Sequence, residues 1–265
     1  MSKQAMAALG DERRLVLDLI DGLTPAEWGA ASDCAGWRVQ DVVAHMSAVY
    51  KSIAGGPVAG DPDHPGDAER GADAGVDERR GWSAAQVAAE YREWSEKGVA
   101  ALGAMNDEPM ASTVIPLGNL GEHAMHILAN AIVFDHYCHL RWDLLRPNGP
   151  LARAALPSDD ARLGPIMEWM LGGLPQMCAA GLSVVDRPVN MIFEGPGGGT
   201  WVLRPGEPFT TVAPGADPDA AATVTSTAHD FVCWGTARRP WRDMGVGVSG
   251  DGTYASRVLD AVNVI

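Results

Sequence analysis

The segment Arg146-Pro147-Asn148-Gly149-Pro150 constrains the fold more than any other stretch of the chain. Its prolines and glycine deny a helix both amide donors and helical dihedrals, so no regular element is expected to run through it. Before it, apolar residues recur at helical spacing. After Gly181 they fall in short β-prone runs punctuated by Gly and Pro. The pattern predicts an α+β protein of two domains, a bundle of about four helices over residues 1–150 and a small α+β domain over 151–265. A chain of 265 residues, 46% of them hydrophobic, supplies enough apolar material for two cores.

Leu15, Leu19 and Ile20 place a first helix over 3–22. Thr24-Pro25-Ala26-Glu27 has the capping-box pattern with proline at the first helical position, and starts a short turn carrying Trp28. Val42, Val43, Met46, Val49 and Ile53 continue the period from 39 until Gly55-Gly56-Pro57. Residues 55–80, rich in Gly, Pro, Asp and Arg, read as one long surface loop. Ser83-Ala84-Ala85-Gln86 caps a helix to about 105, with Val87, Tyr91, Trp94 and Gly98 along one face. An extended piece at 113–117 precedes the longest helical pattern, about 120–145. Ser158-Asp159-Asp160 opens a helix expected to bridge the halves. Strands are expected at 189–193, 200–203, 209–212, 222–227 and 245–248, and helices at 228–237 and 254–264. Gly195-Pro196-Gly197-Gly198-Gly199 reads as a hairpin turn, since no Lys-Ser/Thr follows to make it a phosphate loop.

A net charge of −14 is the wrong sign for nucleic acid or an anionic membrane, which leaves a small molecule as the expected partner. The N-terminus lacks an export signal and no apolar run approaches membrane-spanning length, so a cytoplasmic protein is expected. Cys34, Cys138, Cys178 and Cys233 form no CxxC pair and read as reduced thiols, mostly small core residues. Core packing is also the default role for the nine tryptophans.

His45 shares the helical face of Val42 and Val49 and so points inward. Asp135 and His139, one turn apart, project from one side of the long helical pattern, with Ile132 and Trp142 continuing the stripe. A buried carboxylate needs a partner, so Asp135 either hydrogen-bonds His139 within a structural network or joins His139 and His45 around a metal. Two imidazoles and one carboxylate would leave the open position of a catalytic site on zinc or a similar divalent ion. His136, three residues before His139, is an alternative ligand. His126 lies thirteen residues before His139, roughly 20 Å along a helix, which removes it and His123 from the site. His64 reads as solvated, and Asp41 either orients His45 or favours the helix start.

The stretch Trp37-Arg38-Val39-Gln40-Asp41-Val42-Val43-Ala44-His45-Met46, the Asp135 to His139 turn, and the run from Val224 to Trp234 resemble the mycothiol-dependent maleylpyruvate isomerases. The likeness extends to related thiol S-transferases of the DinB-like superfamily and covers nearly the whole chain. It implies a DinB-like four-helix bundle holding zinc through His45, Asp135 and His139, and a sterol-carrier-like second domain. It also implies mycothiol as cofactor and a small electrophilic, maleylpyruvate-like substrate. In that chemistry a thiolate adds to a cis double bond, rotation follows, and the thiolate leaves; in a transferase the adduct persists. The resemblance places a catalytic, cofactor-binding arginine from the second domain in a cleft between the two. Thr236-Ala237-Arg238 stands where the family often has Thr-Gly-Arg, so the role falls to Arg238, with Arg239 adjacent. The carboxylate here is Asp135 where the best-known isomerases present Glu. A metal-dependent hydrolase using bound water and a non-catalytic small-molecule carrier are the rival functions on the same fold.

Overall fold

The computed structural model describes residues 2–264. Two compact units emerge, Met1–Pro157 and Ser158–Ile265. Residues past the Pro/Gly segment stay with the first unit because they bond back to it. Leu151 N–H donates to Leu144 O at 3.0 Å, and the Arg141 guanidinium donates to Pro157 O at 2.7 Å.

In the first unit α1 (Ser2–Gly22), α2 (Pro25–Trp28), α3 (Val39–Ile53), α4 (Ala68–Asp77), α5 (Ala84–Met105) and α6 (Leu128–Cys138) follow in order. The expected capping boxes form at α2 and α5: Glu27 N–H donates to Thr24 Oγ1 at 3.3 Å, and Gln86 N–H to Ser83 Oγ at 3.3 Å. Helix α3 packs on α5, while α1 packs on α6 and α5. The inward stripe of α3, Val39, Val42, Val43, Met46 and Tyr50, is fully buried, and each such side chain contributes roughly 1.5–3 kcal/mol. Gly98 of α5 lets the helices approach, because a Cβ there would overlap the Tyr50 ring.

Two expectations for this unit are corrected. Residues 55–80 are not all loop. Helix α4 lies within them, started by Asp67, whose carboxylate accepts from Arg70 N–H at 3.0 Å. It buries Gly75 and Val76, too small an apolar face to register against the polar composition. The helix expected over 120–145 starts only at Leu128. Ahead of it β1 (Val114–Pro116) and β2 (Glu122–Ala124) form an antiparallel ribbon. Gly118 and Gly121, at φ +62° and +95°, turn the chain where a helix would need negative φ. Beyond α6 the chain widens into a π-helix, His139–Leu144.

The second unit opens with α7 (Asp160–Met177), whose cap Asp159 accepts from Arg162 N–H at 3.1 Å. Then come α8 (Ala179–Leu182), β3 (Val189–Glu194), β4 (Gly199–Arg204), β5 (Thr211–Pro214), β6 (Ala222–Thr227), α9 (Ala228–Trp234), β7 (Gly247–Gly250) and α10 (Gly252–Leu259). The strands form one sheet in the order β5-β4-β3-β6-β7, with β3 and β6 parallel and the other pairs antiparallel. Val189, Met191 and Phe193 alternate into the core from β3, as Ala222 and Val224 do from β6. The β3–β4 hairpin turns at Gly195–Gly199, and a Cβ at Gly197 would overlap Leu163 of α7. Helices α9 and α10 end short of the expected bounds. After α9, Ala237 N–H donates to Trp234 O and Arg238 N–H to Cys233 O, both at 3.1 Å, which is a Schellman stop. After α10, Val264 N–H donates to Gly235 O at 2.6 Å and draws the tail away from the helix axis.

Candidate metal centre

His45 reaches inward from α3, Asp135 from α6, and His139 from the first position of the π-helix. His45 Nε2 lies 3.0 Å from Asp135 Oδ1, and His139 Nε2 lies 3.5 Å from the same oxygen. The imidazoles meet edge to face with centroids 4.9 Å apart. One donor atom from each of the three residues falls within 4.8 Å of the others.

The three groups are strongly coupled by charge. Burial alone would push the Asp135 carboxyl up, but the charges of His45 and His139 override it and hold the group well below the usual carboxylate range. Burial would likewise lower His139, yet Asp135 beside it, with Asp143 and Cys34, keeps it well above the usual histidine range. The second oxygen, Asp135 Oδ2, is buried without a hydrogen bond. His136 Nδ1 is 3.2 Å from it, but that nitrogen donates to Ile132 O at 3.0 Å.

The residues fit a divalent metal on two counts. Neighbouring ligand atoms of a tetrahedral zinc site stand roughly 3.3 Å apart, a value bracketed by the 3.0 and 3.5 Å separations. In addition, His139 Nδ1–H donates to Asp143 Oδ2 at 2.8 Å, so Nδ1 keeps its proton and Nε2 is the nitrogen that would give up its own to an ion.

His136 does not join the group. Its Nε2 accepts from Tyr91 OH at 3.1 Å and its ring lies against Tyr50, centroids 5.0 Å apart, so both nitrogens serve the bundle interior. Asp41 does not orient His45; it accepts from Arg38 Nη2 at 2.8 Å and Arg80 Nη1 at 3.1 Å. His123 and His126 donate to the carbonyls of Leu120 and Ala111, and His64, half exposed, pairs with Asp61. Arg238 and Arg239, both half-buried, follow α9 in the second unit.

Three neighbours of the cluster escape sequence reasoning. Trp37 lies over the imidazoles, with centroids 5.3 Å from His45 and 6.4 Å from His139, and its Nε1–H donates to Asp73 of α4 at 3.1 Å. Cys34 Sγ stands 3.8 Å from His139 Nδ1. Asp143 is the third, and it alone carried a signal, since it repeats the four-residue step from Asp135 to His139. The π-turn that carries His139 and Asp143 is anchored by Arg141, whose guanidinium donates twice to the buried Glu12 carboxylate at 2.8 Å. Such widened turns are costly and concentrate at functional sites.

Comparison with known proteins follows the same lines. The sequence matches the mycothiol maleylpyruvate isomerase N-terminal domain family over residues 9–144. No curated protein sequence matches the chain. Among solved structures, it is similar to the mycothiol-dependent maleylpyruvate isomerase, with a TM-score of 0.55 at 13% identity, over 94% of this chain and 93% of that one. A histidine-to-alanine mutant of that isomerase aligns with a TM-score of 0.54 at 12% identity over the same shares. At this identity the likeness is one of mixed α+β fold. Among the described residues no helix is long and apolar enough to cross a membrane.

Proposed function

The chain belongs to the mycothiol maleylpyruvate isomerase N-terminal domain family, and from that premise we propose that it is a metal-dependent enzyme using mycothiol to isomerise, or attach a thiol to, a small electrophilic substrate of the maleylpyruvate kind. The observation that carries this reading is the convergence of His45, Asp135 and His139 donor atoms within 4.8 Å. Two imidazoles and one carboxylate leave a coordination position open, the arrangement of catalytic rather than structural zinc. When bound, the ion would lower the pKa of a thiol at that position and so supply a thiolate nucleophile at neutral pH.

The chain's own residues do the rest. His45, Asp135 and His139 would hold the ion, the Asp135 carboxylate also offsetting its charge. Asp143 keeps the proton on His139 Nδ1, 2.8 Å away, so that Nε2 stays a donor of electrons. Trp37 covers the imidazole faces and keeps water off one side of the cluster. Arg238 is assigned to a carboxylate of the substrate or thiol, for which its planar fork of donors suits bidentate pairing.

Elemental analysis combined with turnover of maleylpyruvate-like electrophiles tests the proposal. Purified protein is expected to carry about one divalent ion per chain, and turnover should require both the ion and mycothiol. Full activity after metal removal would overturn the reading, and turnover that persists without any thiol would replace it with hydrolysis by bound water.

A further inference from the structure

We propose a second cation position on the opposite edge of the His139 ring, formed by Cys34 Sγ, His139 Nδ1 and the Asp143 carboxylate, and suited to a thiophilic divalent ion such as zinc or cadmium. Among the described residues only two groups of three donors converge within 4.8 Å, and this is the one that contains a thiol. Cys34 Sγ is 3.8 Å from Nδ1. A tetrahedral zinc ion bound to one thiolate and one imidazole separates sulfur from nitrogen by roughly 3.6 Å, so the thiol already stands near its place. Asp143 Oδ2, at 2.8 Å from Nδ1, is closer than two ligands of one ion would be. Binding therefore replaces that hydrogen bond, and the carboxylate moves back by roughly 0.6 Å. The protons of Nδ1 and Cys34 leave to solvent as the ion enters.

The backbone holds the thiol in position. Asp33 N–H donates to Asp143 O at 2.9 Å, which pins the Cys34 loop to the residue that supplies the third donor. Cys34 N–H donates to Ser32 Oγ at 3.2 Å, and an isolated bridge between Ala31 and Arg38 closes the loop. Cys34 is half-buried whereas Cys138, Cys178 and Cys233 are buried, so an ion can enter at this sulfur. Softer ions partition toward thiolate, while the nitrogen and oxygen donors of His45, Asp135 and His139 Nε2 set no such preference. The two positions share one ring, so an ion on either edge raises the cost of a second by charge repulsion. This second position uses the Nδ1 edge, which is bonded to Asp143 before an ion enters, and makes no use of mycothiol.

Cadmium titration of the full chain tests it, with the thiolate-to-cadmium ultraviolet band and elemental analysis as readouts. The wild type should develop the band, and His45→Ala should keep it. Cys34→Ser should lose the band yet retain about one equivalent of metal at the other edge. Absence of the band in saturated wild type, or its survival in Cys34→Ser, overturns the assignment. Alkylation of Cys34 by iodoacetamide in the wild type, which needs no variant to fold, should slow on the order of tenfold with cadmium; an unchanged rate also overturns it. Neither readout involves turnover, so loss of thiol-dependent activity leaves them untouched.

Discussion

His45 Nε2 meets Asp135 Oδ1 at 3.0 Å across a sequence separation of 90 residues. The contact joins α3, which packs on α5, to α6, which packs on α1. The cluster therefore sits where two helix pairs face each other, and its geometry depends on both. Asp135→Asn keeps the shape of the side chain and removes its charge. It is expected to weaken divalent-metal affinity by more than about 100-fold, beyond the effect of losing an outer partner, with helical circular dichroism retained. Chelator competition measures the affinity, and wild-type binding by the variant would exclude Asp135 from the ligands.

Asp143 acts through His139. Asp143→Asn leaves the π-turn in place but lets the amide present its NH2 group to Nδ1, which favours the wrong tautomer. Loss of such a carboxylate partner typically costs 10–100-fold in metal affinity. The same competition assay should show an effect of that size, smaller than that of Asp135→Asn. Equal affinities for Asp143→Asn and wild type would show that the hydrogen bond at 2.8 Å does not orient the ring.

How much of this was legible in the sequence follows from range. Periodicity reports which face of a helix is buried, and it placed His45, Asp135 and His139 on inward faces. It separates residues within one helix less well: His136 is fully buried, more so than any of the three cluster residues, yet turns to Tyr91. Cys34 and Trp37 stand in an irregular loop with no period to read, and only the tertiary bond from Asp33 to Asp143 brings them to the site. Helix α4 was hidden because its buried face is Gly75 and Val76. The over-long helix at 120–145 has the opposite cause, since apolar spacing continues past Gly121, whose positive φ only the fold reveals.

Glu90 gives the acid limb of the stability profile. Burial pushes its carboxyl up, but hydrogen bonds and charge from Arg79, with Lys51, hold it below its ordinary 4.5. A depressed folded pKa means the unfolded chain binds more protons, so this contribution is complete above about pH 4.5 and lost as pH falls through the lower folded value. Acid titration of unfolding free energy should therefore be shallower in Glu90→Gln than in wild type below about pH 4.5. The Arg79 side chain is fully buried and would keep Glu78 as a carboxylate partner, so losing the Glu90 charge should cost on the order of 1–3 kcal/mol at neutral pH. A parallel pH profile for the two proteins would rule out this coupling.

At Gly98 two effects oppose each other. Gly→Ala inside a helix ordinarily stabilises by roughly 0.5–1 kcal/mol. Here the added Cβ would overlap the Tyr50 ring, which is fully buried and cannot swing aside. Overpacking of that kind costs about 1–3 kcal/mol, so Gly98→Ala should lower the denaturation midpoint. A raised midpoint would mean that α3 and α5 are further apart in solution.

Ala237 is the mirror case, a residue with a side chain where glycine fits better. Among the described residues it alone has positive φ without being glycine, at +53°. The pair of bonds from Ala237 N–H to Trp234 O and from Arg238 N–H to Cys233 O makes it the left-handed position of the Schellman stop after α9. Holding an L-residue there costs roughly 1–2 kcal/mol. Glycine relieves that strain but adds about 0.4–1 kcal/mol of unfolded-chain entropy. Relief is the larger quantity, so Ala237→Gly should raise stability by up to about 1 kcal/mol, read as a higher urea midpoint at unchanged m-value. Ala237→Val, whose branched side chain tolerates positive φ poorly, should lower it. Arg238 takes its place from the second of those bonds, so Ala237→Val should also disturb the arginine assigned to carboxylate recognition, raising KM for the substrate while Ala237→Gly leaves it unchanged. If glycine destabilises and valine does not, the chain does not pass through the left-handed region here, and the placement of Arg238 falls with it.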